Sequence, residues 1–209
     1  MLSRLSEAGL ITDDPPIVAS GPNSGNPHYS IPNGESGRRF AIGDVIQFDI
    51  WAKEPNGIYA DISWVGYFEK RAPPELEETF ANLALARDLV VESVREGLAS
   101  GAPVRGCDLD AVARERLLAS FPEAAIKHRT GHGIDTECHG SGVNLDSVEF
   151  PDNRRLLEGS CFSVEPGIYF DGYGMRTEID IYIQGGKPIV SGCKTQRSLL
   201  VIQEAKENE

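Results

Sequence analysis

The chain has 209 residues, enough for one sizeable buried core, and its composition (40% hydrophobic, 25% charged) is ordinary for a globular protein. A formal net charge of -12 argues against a nucleic-acid partner, because no basic patch could offset that field. A mean hydropathy of -0.26 and short, interrupted apolar runs exclude a helical membrane span. The first residues mix Arg4 and Glu7 among leucines and lack the apolar stretch of a signal peptide, so a cytoplasmic address is expected. The four cysteines (Cys107, Cys138, Cys161 and Cys193) are widely spaced with no C-x-x-C pair, and read as free buried thiols.

In chain order, residues 15–40 are rich in Pro, Gly, Ser and Asn, which favours turns and short strands. Residues 43–52 carry β-branched and aromatic weight and predict a strand. Pro55-Asn56-Gly57 predicts a turn, and residues 58–68 a returning strand, together an antiparallel hairpin. Pro73 and Pro74 open a long helix, since proline is tolerated in a first turn. Phe80, Leu83, Ala84, Val90, Val91, Val94 and Leu98 recur along it at helical steps, and Gly101 closes it. Asp108 is expected to cap a second helix running to Ala119, with Leu109, Val112 and Leu117 inward. Strands follow over 161–170 and 175–184, with short ones near Ile189 and over 199–202. The order of strands, helices and strands predicts an α+β fold, a curved antiparallel sheet covered by helices on one side.

Charged residues interrupt several of these apolar strands. Asp49 follows Val45-Ile46-Gln47-Phe48, and Asp61 lies in Tyr59-Ala60-Asp61-Ile62. They are 12 residues apart across the hairpin, a parity that places both on one side and allows them to oppose each other directly. Two buried carboxylates so placed repel, and one is driven neutral unless a cation lies between them. Glu165 in Phe162-Ser163-Val164-Glu165 and Glu178 in Arg176-Thr177-Glu178-Ile179 repeat the anomaly. Any one alone is best explained by a neighbouring arginine or a turn. Four together carry a charge that two divalent cations would neutralise. Three of the four histidines, His128, His132 and His139, fall within twelve positions. The glycines flanking His132 oppose a helix there, so an extended segment with a close-approaching backbone is expected. Cys138 directly precedes His139, which would allow a thiol near this chemistry, although a free buried thiol is the expected reading.

These segments resemble one family. Ile17-Val18-Ala19-Ser20-Gly21 with His28, Gly43-Asp44-Val45 through Asp49, and Asp61-Ile62-Ser63 are similar to the creatinase/aminopeptidase, or pita-bread, metallopeptidases. So are Thr130-Gly131-His132-Gly133-Ile134, Val164-Glu165-Pro166-Gly167-Ile168-Tyr169 and Arg176-Thr177-Glu178. The similarity runs from about residue 15 to about residue 202. It implies a single catalytic core over residues 1–209 and two divalent metal ions (Mn, Co, Zn or Fe) held by Asp49, Asp61, His132, Glu165 and Glu178. A hydroxide shared by the metals would attack the scissile carbonyl of a peptide substrate. Glu165 would shuttle the proton, His139 would steady the oxyanion and His28 would meet the substrate near the scissile bond. His128, Tyr169 and Arg176 would support the pocket.

Arg176-x-Glu178 in an apolar strand resembles the proline-specific branch, so an Xaa-Pro exopeptidase is expected first. A methionine-aminopeptidase-like activity, a non-catalytic binding module on the same fold and a metal-free amidinohydrolase are the alternatives. The full ligand set argues against the last two.

Three departures stand out. The Asp49–Asp61 spacing is one residue longer than in the family, a surplus that the loop at Lys53-Glu54-Pro55-Asn56-Gly57 can absorb. Ser63-Trp64 stands where Thr-Arg is usual, which alters the surroundings of the ligands. Only residues 1–10 precede the shared core, enough for the tail of one helix. A shortened form, or one that covers a bare face as a homodimer, is therefore expected.

Overall fold

The computed structural model describes residues 1–32, 35–192 and 194–203. A short N-terminal helix, α1 (Leu2–Glu7), carries no buried residue. Strand β1 (Ile17–Ser20) and a 3-10 turn (Gly21–Gly25) lead to the hairpin of β2 (Val45–Ala52) and β3 (Ala60–Phe68). The ladder is unbroken from Val45↔Tyr67 to Ala52↔Ala60. The long spacing is taken up between the strands, where Asn56 adopts a left-handed φ of 65° and the Gly57 amide donates to the Glu54 carbonyl at 2.9 Å.

Helix α2 (Pro74–Ser100) begins behind Pro73 and ends at Gly101, whose φ of 72° supplies the left-handed stop. Phe80, Leu83, Val90, Val91 and Val94 are buried along it, as their spacing predicts; Ala84 and Leu98 are half-buried against the same core, and Ala86 and Arg87 complete the inner face. Helix α3 (Gly106–Leu118) starts three residues earlier than expected. Arg105 occupies the capping position, and Asp108 instead places its charge within the first turn, where it favours the helix dipole.

The two long strands predicted downstream are each broken in the middle. Residues 161–170 give β4 (Cys161–Val164) and β5 (Gly167–Tyr169); residues 175–184 fall within β6 (Gly174–Arg176) and β7 (Ile179–Gln184). Strands β8 (Lys187–Val190) and β9 (Leu200–Ile202) follow. The ladders form a four-stranded sheet ordered β1-β2-β3-β9, a three-stranded sheet β4-β7-β8 and the pair β5-β6. Every pairing is antiparallel except β3 with β9. The sheets meet where β3 packs on β7 and β2 on β6, while α2 packs on α3 and β8. One core joins Phe80, Leu83 and Val90 of α2 and Leu109 and Leu117 of α3 to Val65, Phe162, Ile168, Met175 and Ile181 of the strands. Each of these side chains removes on the order of 2 kcal/mol of apolar surface from water, which fixes the sheets against the helices.

Among the described cysteines, Cys107, Cys138 and Cys161 are free thiols. Only Cys138 is buried; Cys107 and Cys161 are half-buried, a correction to the expectation that all are interior. Cys193 lies outside the described residues. No helix among the described residues is long and apolar enough to cross a membrane.

Candidate metal centre

Strand alternation delivers the two aspartates. In the observed register Asp49 opposes Ser63 and Asp61 opposes Trp51. The aspartates therefore share one side of the hairpin but stand one diagonal step apart rather than directly opposed, which corrects the expected pairing. Ser63, opposite Asp49 and two residues from Asp61, points to the same side, and Trp64 points to the other. Of the Ser63-Trp64 departure, only Ser63 bears on the site.

The two glutamates come from the interruptions in the later strands. Glu165 follows β4 just before Pro166, and Glu178 lies between β6 and β7, its amide donating to the Ser63 carbonyl at 3.1 Å. A residue at such a break is freed from the regular pleat, so its side chain can turn toward the hairpin. His132 arrives on an extended segment alongside β4. The Ser163 amide donates to the His132 carbonyl at 2.9 Å, and the Glu165 amide to the Thr130 carbonyl at 2.7 Å. A Cβ on Gly131 would lie 2.1 Å from the Ser163 carbonyl oxygen, and one on Gly133 within 2.6 Å of the Gly142 backbone. The glycines flanking His132 are there because two backbones touch.

Asp49, Asp61, His132 and Glu178 are buried and Glu165 partly so. Their ligating atoms form two overlapping triads able to hold a metal ion, Asp49-Asp61-Glu178 and His132-Glu165-Glu178, and a third group joins Asp61 and His132 to Cys138. His132 Nε2 lies 3.5 Å from Asp61 Oδ2 and 3.4 Å from Glu165 Oε1. Arg176, buried, pairs with Asp49 and stands 3.8 Å from Glu165 Oε2. Its Nε donates to Ser63 Oγ at 2.9 Å, and Ser63 Oγ lies 2.7 Å from Asp49 Oδ1 and 2.9 Å from Glu178 Oε2. The sequence marks Ser63 only as a departure. It is the hub that connects two carboxylates and the arginine.

The charges are unbalanced, and the side chains register it. Burial, and then the neighbouring Asp61, Glu165 and Asp49, push the Glu178 carboxyl well above the usual carboxylate range. Burial raises Asp49 too, against the pull of Arg176. Glu165 goes the other way: burial would raise it, but His132 and Arg176 hold it below its ordinary value. Burial opposes a charge on His132, yet Asp61 and Glu165 raise its pKa. Asp61 Oδ1 and Glu178 Oε1 are buried with no hydrogen-bond partner. Two orphaned carboxylate oxygens among oxygen and nitrogen donors fit a divalent cation, and the lone arginine leaves them unmatched.

Other expected site residues surround this cluster. The ring of His139 lies 4.3 Å from that of His132. His139 and His28 are both exposed on the wall of a cavity of about 740 Å³ that Tyr29, Ile17, Val18 and Trp51 also line. His128, Tyr169 and Arg176 form a relay, with His128 Nε2 2.8 Å from the Tyr169 hydroxyl and Arg176 Nη1 3.3 Å from it. Burial lowers His128 to about 4 and raises Tyr169. Asp180, absent from the sequence-derived site, accepts from the Asp61 amide at 2.8 Å and is pushed by burial to about 7. Its only signal in the sequence is a second acid two residues after Glu178, in Glu178-Ile179-Asp180, and that spacing does not tell which strand it meets.

Metallopeptidase family M24 matches residues 3–185. The chain is 31% identical over 179 residues to a probable dipeptidase PepE of Mycobacterium tuberculosis, covering 85% of this chain and 44% of that protein. It is 30% identical over 178 residues to an Xaa-Pro dipeptidase of Lactobacillus delbrueckii subsp. lactis, covering 84% and 44%. Among solved structures, dipeptidase PepE from Mycobacterium ulcerans superposes with a TM-score of 0.81 at 26% identity, over 96% of this chain and 50% of that one. The X-Pro aminopeptidase from Thermotoga maritima gives 0.76 at 29% identity, over 90% and 49%. The chain thus spans about half the length of the relatives it matches. The likeness establishes the fold as the pita-bread fold. With a family match over most of its length and this cluster of acids and histidine, the chain belongs to metallopeptidase family M24.

Proposed function

We propose that this chain carries the catalytic core of a metal-dependent exopeptidase that cleaves a peptide bond next to proline. The observation that carries the reading is the convergence of Asp49, Asp61, His132, Glu165 and Glu178, with two of their oxygens buried and unpartnered. These five side chains would hold two divalent cations. Such ions, when bound, polarise a carbonyl and acidify a water. Glu165, ionised beside His132 and Arg176, accepts the proton of the attacking water on its carboxylate and returns it to the leaving amine. His139, exposed to the cavity, donates to the oxygen on which negative charge develops, and His28 meets the substrate from the same wall. Arg176 fixes Asp49, and the His128–Tyr169 contact fixes Arg176. Proline specificity is supported by Arg176-x-Glu178 and by the names of relatives such as the Xaa-Pro dipeptidase of L. delbrueckii.

The test compares purified protein before and after chelation, measuring metal content, melting temperature and hydrolysis of peptides with proline or methionine at the cleavage position. About two equivalents of metal, a lower melting temperature after chelation and turnover of Xaa-Pro peptides are expected. Absence of bound metal together with no chelator effect overturns the dinuclear reading. Turnover of methionine peptides alone moves the assignment to the methionine-specific branch. Metal binding without either turnover makes the chain a binding module.

A further inference from the structure

One group at the centre is outside the ligand set assigned so far. Cys138 is buried, and its Sγ lies 3.0 Å from Asp61 Oδ2, the same oxygen that stands 3.5 Å from His132 Nε2. Ligating atoms of Asp61, His132 and Cys138 all lie within 4.8 Å of one another. The other oxygen of Asp61, which is 7% exposed, is buried without a hydrogen-bond partner. Behind the sulfur, Tyr59 and Ile134 form a small apolar cluster with Cys138, against which Trp51 packs.

We propose that Cys138 is a sulfur ligand of this centre, so that Asp61, His132 and Cys138 make one cation position of mixed oxygen, nitrogen and sulfur character. The inference rests on the metal-centre reading above. Donors at 2.0–2.3 Å from a tetrahedral ion stand roughly 3.3–3.8 Å apart. The Asp61–His132 separation already falls in that range, and the shorter Asp61–Cys138 contact is that of an S–H···O bond which a cation would replace. On ligation the thiol proton leaves to solvent, a sulfur lone pair forms the bond to the cation, and nothing is oxidised or reduced. A thiolate favours thiophilic ions, so the chain should select Zn(II), Co(II) or Cd(II) over Mn(II) more strongly than an oxygen-and-imidazole site does.

The experiment titrates the chelator-stripped 209-residue chain with Co(II), for the wild type and for Cys138→Ser and Cys138→Val. The wild type is expected to show visible ligand-field bands plus a near-ultraviolet sulfur-to-cobalt charge-transfer band. Both variants are expected to keep the visible bands, which shows a folded, loaded centre, and to lose the near-ultraviolet band, although Cys107, Cys161 and Cys193 remain. Cd(II) affinity in Cys138→Ser is expected to fall by about tenfold or more, while Mn(II) affinity changes little. Visible bands without a charge-transfer band in the wild type overturn the sulfur ligand and leave the metal centre standing. So does a charge-transfer band that persists in both variants. Failure of the wild type to bind Co(II) at all overturns both readings.

Discussion

Glu178 shows how the site is balanced one proton at a time. Ser63 Oγ accepts from Arg176 Nε and has a single proton of its own, yet it stands within hydrogen-bond distance of both Asp49 and Glu178. Both contacts are satisfied together if Glu178 is protonated and donates to Ser63, which in turn donates to Asp49. The strongly raised pKa of Glu178 supplies that proton, and a cation would take its place. His128 is the opposite case, a histidine whose burial lowers its pKa from 6.5 to about 4, leaving it neutral against the Tyr169 hydroxyl. Between those two values the unfolded chain binds a proton that the folded chain refuses, so His128 costs stability as pH falls through this window. In His128→Gln that loss is absent. The stability deficit of the variant relative to wild type should therefore shrink by about 1–2 kcal/mol between pH 7.5 and pH 5, read from urea melts at the two pH values. An unchanged deficit would mean that His128 is freely hydrated in the folded chain.

At the scale of elements, the site is built from places where regular structure stops. Glu165 and Glu178 follow strands β4 and β6, and His132 rides a segment that exchanges only a few backbone bonds with β4. Gly131→Ala tests how tight that approach is. Its Cβ would meet backbone oxygen at 2.1 Å, which no rotamer change relieves. A loss of about 2–3 kcal/mol in denaturant midpoint-derived stability is expected, together with reduced metal content, because His132 must move with the backbone. Near-native stability with full metal loading would show that the segment has room to spare. The same elements explain what could be read from the sequence. Asp49, Asp61, Glu165 and Glu178 were visible as acids inside apolar strands, and helix α2 as a long amphipathic run stopped by Gly101. The break after Val164 is marked by Pro166-Gly167, which cannot continue a ladder although the expected strand runs through it. The break after Arg176 carries no such mark, and the Glu178 amide there donates to the Ser63 carbonyl of β3 instead. Ser63 and Asp180 were likewise illegible as site members, since their roles depend on which strand lies opposite, and register is set by packing between segments more than 100 residues apart.

For the whole molecule, a surplus of acid concentrated at one buried point makes stability depend on pH and on cations together. Without metal, Glu178, Asp49 and Asp180 are all raised above their ordinary values. Each then binds a proton in the folded chain that it has already lost in the unfolded one, so each favours folding at low pH and loses that contribution as pH climbs through its folded pKa. Above pH 6.5 His128 only loses the rest of its proton in the unfolded chain, which opposes this trend by about 0.4 kcal/mol. Asp180, titrating near 7, should alone remove about 1 kcal/mol between pH 6.5 and pH 8, with Glu178 adding to the fall as its own range is reached. Chelated protein is therefore expected to melt at a lower temperature at pH 8 than at pH 6.5. Divalent metal, which replaces the protons with charge that does not titrate, should raise the melting temperature more at pH 8 than at pH 6.5. Scanning calorimetry of chelated and reloaded protein at both pH values gives the four numbers needed. If the chelated protein is as stable at pH 8 as at pH 6.5, the acids are not crowded as the structure places them. If metal stabilises equally at both, the cation does not take the place of those protons.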